Sequence, residues 1–115
     1  MRNRSDREWT SIEDFLKCRV IETQGSLDAA KNMMDRNNSY KFLHDYYLAQ
    51  FYILNHLWMR SNFLTNPMRT VDELRSLLDQ PADPAPDAYD PGRFMSYSEI
   101  TIKSLIIEFE SPIYR

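Results

Sequence analysis

Glycine is scarce in this chain, with two in 115 residues. Two glycines cannot build the glycine-rich loops that cradle phosphate groups, so nucleotide-binding motifs of that kind are excluded. The scarcity also disfavours an all-β fold, whose many tight turns need glycine. Cysteine is rarer still, with Cys18 as the sole thiol. A disulfide within the chain is therefore excluded. One cysteine suits a reducing compartment, and we predict a cytoplasmic location.

Positive charge is not in excess either. Fourteen Lys and Arg residues face seventeen Asp and Glu residues, for a net charge of −3. Because nucleic-acid-binding domains usually show a basic excess or stripe, this balance argues against a nucleic-acid partner. The long apolar stretches are interrupted by charged residues, and the first residues lack the apolar core of a signal peptide. We therefore expect no membrane partner.

The sequence does contain one long stretch of large apolar residues, over 39–62, with neither glycine nor proline. Its apolar runs are continuous and too long for a strand, so they predict one long helix at the centre of the fold. This helix is apolar on more than one face. The predicted broad apolar face includes Leu43, while the opposite, mixed face includes Asp45. A second apolar strip on that mixed face consists of Leu48, Tyr52 and Met59.

Start and stop signals predict further helices on either side. Three pairs have capping-box spacing and predict helix starts: Thr10 with Glu13, Thr70 with Glu73, and Ser96 with Glu99. Gly25 predicts the end of the first helix, and Ser26 is predicted to cap the next one. The fold class is therefore predicted to be all-α, a compact bundle of four to five helices around a long central helix.

The C-terminal segment fits two structures. Ile102, Leu105, Ile106 and Phe109 follow the spacing of one helical face, which predicts a helix over 97–110. The β-branched residues of the same segment leave a strand as the alternative.

We expect a single domain with four parts. Residues 1–9 form a polar arm, and residues 10–79 form the helical core. Residues 80–93 hold four of the six prolines and are predicted to be an extended strap or linker. Residues 94–115 are predicted to be a C-terminal docking segment.

No pattern in the sequence carries catalytic or metal chemistry. His44 and His56 lie about 18 Å apart along one helix, too far to share a metal ion. His44 and Asp45 are adjacent, and neighbouring side chains diverge on a helix, so they are not predicted to be a catalytic pair. We therefore predict no catalytic residue, no metal and no cofactor, and a protein that is not an enzyme.

The surplus of apolar surface predicts a protein-protein interaction module: a small adaptor, inhibitor or accessory subunit that docks on a larger protein or self-associates. The predicted contact residues are Leu48, Tyr52, Met59, Tyr89, Phe94, Ile107 and Tyr114. One alternative is a nucleic-acid-associated regulator that uses Arg2, Arg4 and Arg7 next to Trp9. A second alternative is a small helical enzyme or ligand carrier with a pocket near Gln50, Tyr46 and Tyr47.

Overall fold

Four α-helices make up most of the described chain. The structure is a computed structural model, and it describes residues 4–60 and 67–110, with side chains over 14–60 and 68–110. The helices are α1 (Arg4–Met34), α2 (Tyr40–Met59), α3 (Pro67–Asp79) and α4 (Pro91–Phe109). No strand occurs in these ranges, which confirms the all-α prediction. None of the four helices has both the length and the apolar character needed to cross a membrane.

The prediction that Gly25 ends the first helix is wrong, because α1 continues through it to Met34. The buried residues on both sides of Gly25 keep one helical stripe, with steps of four and three residues: Leu16, Val20, Thr23, Leu27 and Ala30. That stripe packs against α2, and its burial outweighs the roughly 1 kcal/mol that glycine costs inside a helix. Gly25 has no positive φ and lies on the exposed side, so no left-handed turn forms there.

The three helix starts predicted from capping boxes are also wrong, since each of those pairs lies inside a helix. α1 begins at Arg4, within the segment predicted to be a polar arm, and α3 and α4 begin at Pro67 and Pro91. Proline suits the first helical position because its missing N–H would have no partner there. The cap of α4 is Asp90, whose Oδ1 accepts the backbone N–H of Arg93 at 3.1 Å. The helical prediction for the C-terminal segment is confirmed.

The helix predicted to be central is not the longest, and it shares the centre with α4. α2 packs against α1 and α4, and α3 packs against α4. The larger buried cluster joins all four helices and includes Leu16, Leu57, Leu74 and Phe109. The smaller cluster lies nearer the start of α2 and consists of Leu27, Leu48, Ala49, Ala85 and Phe94.

Residues 80–90, which we call the strap, connect α3 to α4 without helical structure. Ala85 is buried in the smaller cluster, and the N–H of Ala88 donates to the carbonyl of Ala85 in a turn. The strap therefore lies over α2 and covers one end of the core.

The strap also explains why the predicted broad face of α2 is wrong at its N-terminal end. There His44, Asp45 and Leu48 are buried, whereas Leu43 is exposed. Hydrophobic periodicity could not choose between two apolar faces of one helix. Ala85 and Phe94, which lie later in the chain, determine which face is buried, because they join Leu48 in one buried cluster.

Candidate functional site

The first cluster of ionisable side chains lies where the strap meets α2. The carboxylate of Asp45 accepts the backbone N–H of Tyr89 at 2.9 Å and that of Asp90 at 2.8 Å. Nδ1 of His44 lies 3.0 Å from Oδ1 of the same carboxylate. Only 2% of the His44 side chain and 1% of the Asp45 side chain are exposed.

The expectation that these neighbouring side chains diverge is therefore wrong, whereas the prediction that they are not a catalytic pair stays a prediction. Adjacent side chains leave a helix in different directions, but here both turn toward the same segment. Asp45 bonds the backbone of Tyr89, and the ring of His44 packs edge-on against the ring of Tyr89, with centroids 4.8 Å apart.

A buried histidine beside a carboxylate can act as a general base only if it reaches a substrate. His44 and Asp45 line neither the groove nor the second cavity described below. The pair is thus a buried anchor that holds the end of the strap on α2.

The second feature is an open groove of about 300 Å³. α2 contributes Tyr52 and Ile53, α3 contributes Leu77 and Leu78, and α4 contributes Phe94 and Ile102. The strap contributes Pro81, Ala82 and Asp83. The ring of Tyr52 meets that of Phe94 edge-on, with centroids 6.0 Å apart. These residues give the groove a mostly apolar lining.

Polar side chains stand at the edge of this groove. His56 lines it, and Nε2 of His56 lies 2.9 Å from Oε1 of Glu73, which also pairs with Nε of Arg60 at 3.3 Å. Glu99 pairs with Lys103 at 3.3 Å in an exposed contact one helical turn away. Asp83 lines the groove but forms no ion pair or hydrogen bond with another described residue. The unbalanced charge at this edge is therefore negative.

The seven predicted contact residues do not form one surface. Leu48 and Phe94 are buried in the smaller cluster, so neither lies on the outer surface, although Phe94 forms part of the groove wall. Tyr52, Met59, Tyr89 and Ile107 are exposed. Tyr52 lies in the groove, whereas Tyr89 packs on His44. Tyr114 lies outside the described residues.

The structure also locates some of the residues named for the alternative functions. Gln50 and Tyr46 line a second cavity, of about 170 Å³, which Tyr47 does not line. No group of three His, Cys, Asp or Glu side chains in the described ranges could hold a metal ion. The side chains of Arg2, Arg4, Arg7 and Trp9 lie outside the described residues.

The sequence reasoning missed Asp45 as an anchor and Asp83 as a groove residue. One available signal was the Asp90-Pro91 pair, a helix cap followed by a first-position proline. That pair places the start of α4 and hence the end of the strap. No comparable local signal marks Asp83, because α2, α3 and α4 build the groove from distant parts of the chain.

No protein-family model matches the chain, and no curated protein or solved structure matches it either.

Proposed function

We propose that this chain is a protein-protein interaction module, a small adaptor, inhibitor or accessory subunit. Its docking site is the groove between α2, α3 and α4. The apolar lining of that groove is the main support for the proposal. Open apolar grooves between helices are the sites at which proteins bind the apolar face of an amphipathic helix. A volume of about 300 Å³ is enough for one or two large side chains from such a helix.

The charge at the groove edge adds a requirement for the partner. Asp83 has no partner among the described residues, and the pair of Glu99 with Lys103 is of the exposed kind that contributes little. A partner helix that places Lys or Arg beside its apolar anchors would meet these carboxylates. Complementary charge of this kind raises the rate of association and excludes other partners.

Random-peptide display against the full chain tests this proposal. We expect the selected peptides to combine apolar residues at helical spacing with Lys or Arg. Asp83→Lys should weaken their binding by about tenfold or more, because it replaces attraction with repulsion. Asp87→Lys is the matched control, since Asp87 is an exposed strap residue that does not line the groove.

A second variant tests the apolar part of the same site. Tyr52→Ala removes an exposed groove side chain, and we expect it to weaken the selected peptides while the chain stays folded by circular dichroism. Peptides that bind both Tyr52→Ala and Asp83→Lys as tightly as the unchanged protein would overturn the proposal. Light scattering tests whether the groove instead binds a second copy of this chain. A dimer that dissociates in Asp83→Lys would show that the second copy, and not a different protein, occupies the groove.

A further inference from the structure

Two exposed aromatic rings, each with a cation stacked on it, lie where α2 and α4 begin. The guanidinium carbon of Arg93 lies 3.7 Å from the centre of the Phe42 ring, and Nζ of Lys41 lies 5.4 Å from the centre of the Tyr89 ring. Phe42 is 49% exposed and Tyr89 is 52% exposed. We call these four residues, together with Asp87 of the strap, the aromatic patch. None of them lines the groove.

The charged groups of the aromatic patch have no ionic partner in the described part of the chain. Lys41 and Arg93 form no ion pair with another described residue. Asp87 is exposed and forms neither an ion pair nor a hydrogen bond with one. Asp90, next to the patch, is also exposed, and its carboxylate accepts only the backbone N–H of Arg93. Two cations and two carboxylates thus lie close together without ion pairs, and their charges sum to zero.

The fold holds this surface in one shape. The carboxylate of Asp45 accepts the backbone N–H groups of Tyr89 and Asp90, and the ring of Tyr89 packs edge-on against the ring of His44. Tyr and Arg are the residues that most often contribute large binding energies at protein interfaces. A surface that is already ordered loses less conformational freedom when it binds. The aromatic patch therefore has the composition and the rigidity of a contact surface.

We propose that the aromatic patch is the contact between two copies of this chain related by a two-fold axis. In such an interface a patch meets itself, so each contact from one copy is matched by the reciprocal contact from the other. Lys41 of one copy faces Asp87 of the other, and the reciprocal pair forms at the same time. Phe42 and Tyr89 are buried between these two pairs.

The balance of charge is what favours a second copy over another partner. A surface with both signs unpaired and no net charge complements itself across a two-fold axis. A purely acidic partner would leave the carboxylates of Asp87 and Asp90 unmatched, and a purely basic one would leave Lys41 and Arg93 unmatched. The inference does not depend on docking at the groove, since the two surfaces share no residue.

Sedimentation equilibrium of the full chain tests this contact. We expect a monomer–dimer equilibrium with a Kd on the order of 100 µM, because the patch is small beside the roughly 20–30 residues per partner of a stable interface. Asp87→Lys and Lys41→Asp should each raise the Kd at least about fivefold, since two-fold symmetry places each altered pair in the interface twice. Asp72→Lys is the matched control, because Asp72 is an exposed residue of α3 outside the patch, and it should leave the Kd unchanged.

A mixture of the two patch variants gives the sharpest comparison. Each variant alone places like charges opposite each other. In the mixed dimer, Lys41 of the Asp87→Lys copy faces Asp87 of the Lys41→Asp copy, and the introduced lysine faces the introduced aspartate. The mixture should therefore dimerise about as tightly as the unchanged chain. Phe42→Ala should also weaken the dimer while the circular dichroism spectrum stays the same, because the Phe42 ring is half exposed.

Three results would contradict the proposed dimer: a monomer at every concentration up to about 1 mM, a dimer that neither patch variant weakens, or a mixture that stays monomeric. A dimer that dissociates in Asp83→Lys but not in Asp87→Lys would place the contact at the groove and also contradict the proposal. Peptide binding at the groove is measured separately, so failure of the dimer leaves the proposed docking function standing.

Discussion

The carboxylate of Asp45, in the first half of α2, accepts the backbone N–H of Asp90 at 2.8 Å. Asp90 is itself the N-cap of α4, because its own carboxylate accepts the N–H of Arg93. One buried acid on α2 thus fixes the residue at which α4 begins. The start of α4 in turn sets where Phe94 and Glu99 stand in the groove, so the anchor and the proposed docking site are parts of one arrangement.

Replacing Asp45 with alanine should therefore be strongly destabilising. The change removes the acceptor for the two backbone N–H groups of Tyr89 and Asp90. We expect the free energy of unfolding, measured with urea, to fall by about 3 kcal/mol. Asp87→Ala, in the exposed part of the same strap, should change it by less than about 0.5 kcal/mol. Equal effects of the two changes would contradict the anchor.

Gly25 offers a test of the continuous helix. A Cβ added at Gly25 meets no atom within 4 Å, and its φ is not positive. Gly25→Ala should therefore raise the free energy of unfolding by roughly 0.5–1 kcal/mol. Ala29→Gly, at an exposed site of the same helix, should lower it by a similar amount. A loss of stability in Gly25→Ala would instead indicate a helix break.

The contrast at Gly25 shows what local sequence signals can and cannot decide. A glycine followed by a serine has the residues of a helix end and a new cap. The buried stripe from Leu16 to Ala30 was the stronger signal, since its spacing continues unchanged across Gly25. The all-α class and the C-terminal helix were predictable because they depend on the same kind of periodic pattern.

The candidate site was less predictable for a physical reason. Leu48 and Tyr52 lie one turn apart on α2 and look alike in sequence, yet one is buried and the other exposed. What separates them is the strap: Ala85 joins Leu48 in one buried cluster, whereas Tyr52 meets Phe94 edge-on and stays exposed. A pattern within one helix contains no information about such coverage.

That difference on α2 can be measured directly. Leu48 is 2% exposed and Met59 is 74% exposed, although both belong to the strip predicted as a contact surface. Leu48→Ala should lower the free energy of unfolding by about 2–4 kcal/mol, because it leaves a cavity beside Phe94. Met59→Ala should change it by less than about 0.5 kcal/mol in the same urea experiment. A small effect of Leu48→Ala on the free energy of unfolding would contradict the burial of Leu48.

Glu73 connects α3 to α2 at the edge of the groove. Its Oε1 lies 2.9 Å from Nε2 of His56 and 3.3 Å from Nε of Arg60, so one oxygen meets two side chains of α2. Removing it in Glu73→Ala should lower the free energy of unfolding by about 1 kcal/mol, since both partners are partly exposed. Hydrogen exchange should also become faster in α3, because α3 loses a tie to α2.

The neighbouring Asp72 gives the control for this effect. Asp72 has the same charge and lies on the same helix, but it is exposed and forms no ion pair with another described residue. Asp72→Ala should therefore leave exchange in α3 unchanged. Faster exchange in both variants would mean that negative charge on α3 matters in general. Faster exchange in Glu73→Ala alone would show that the bond to His56 and Arg60 holds this wall of the groove in place.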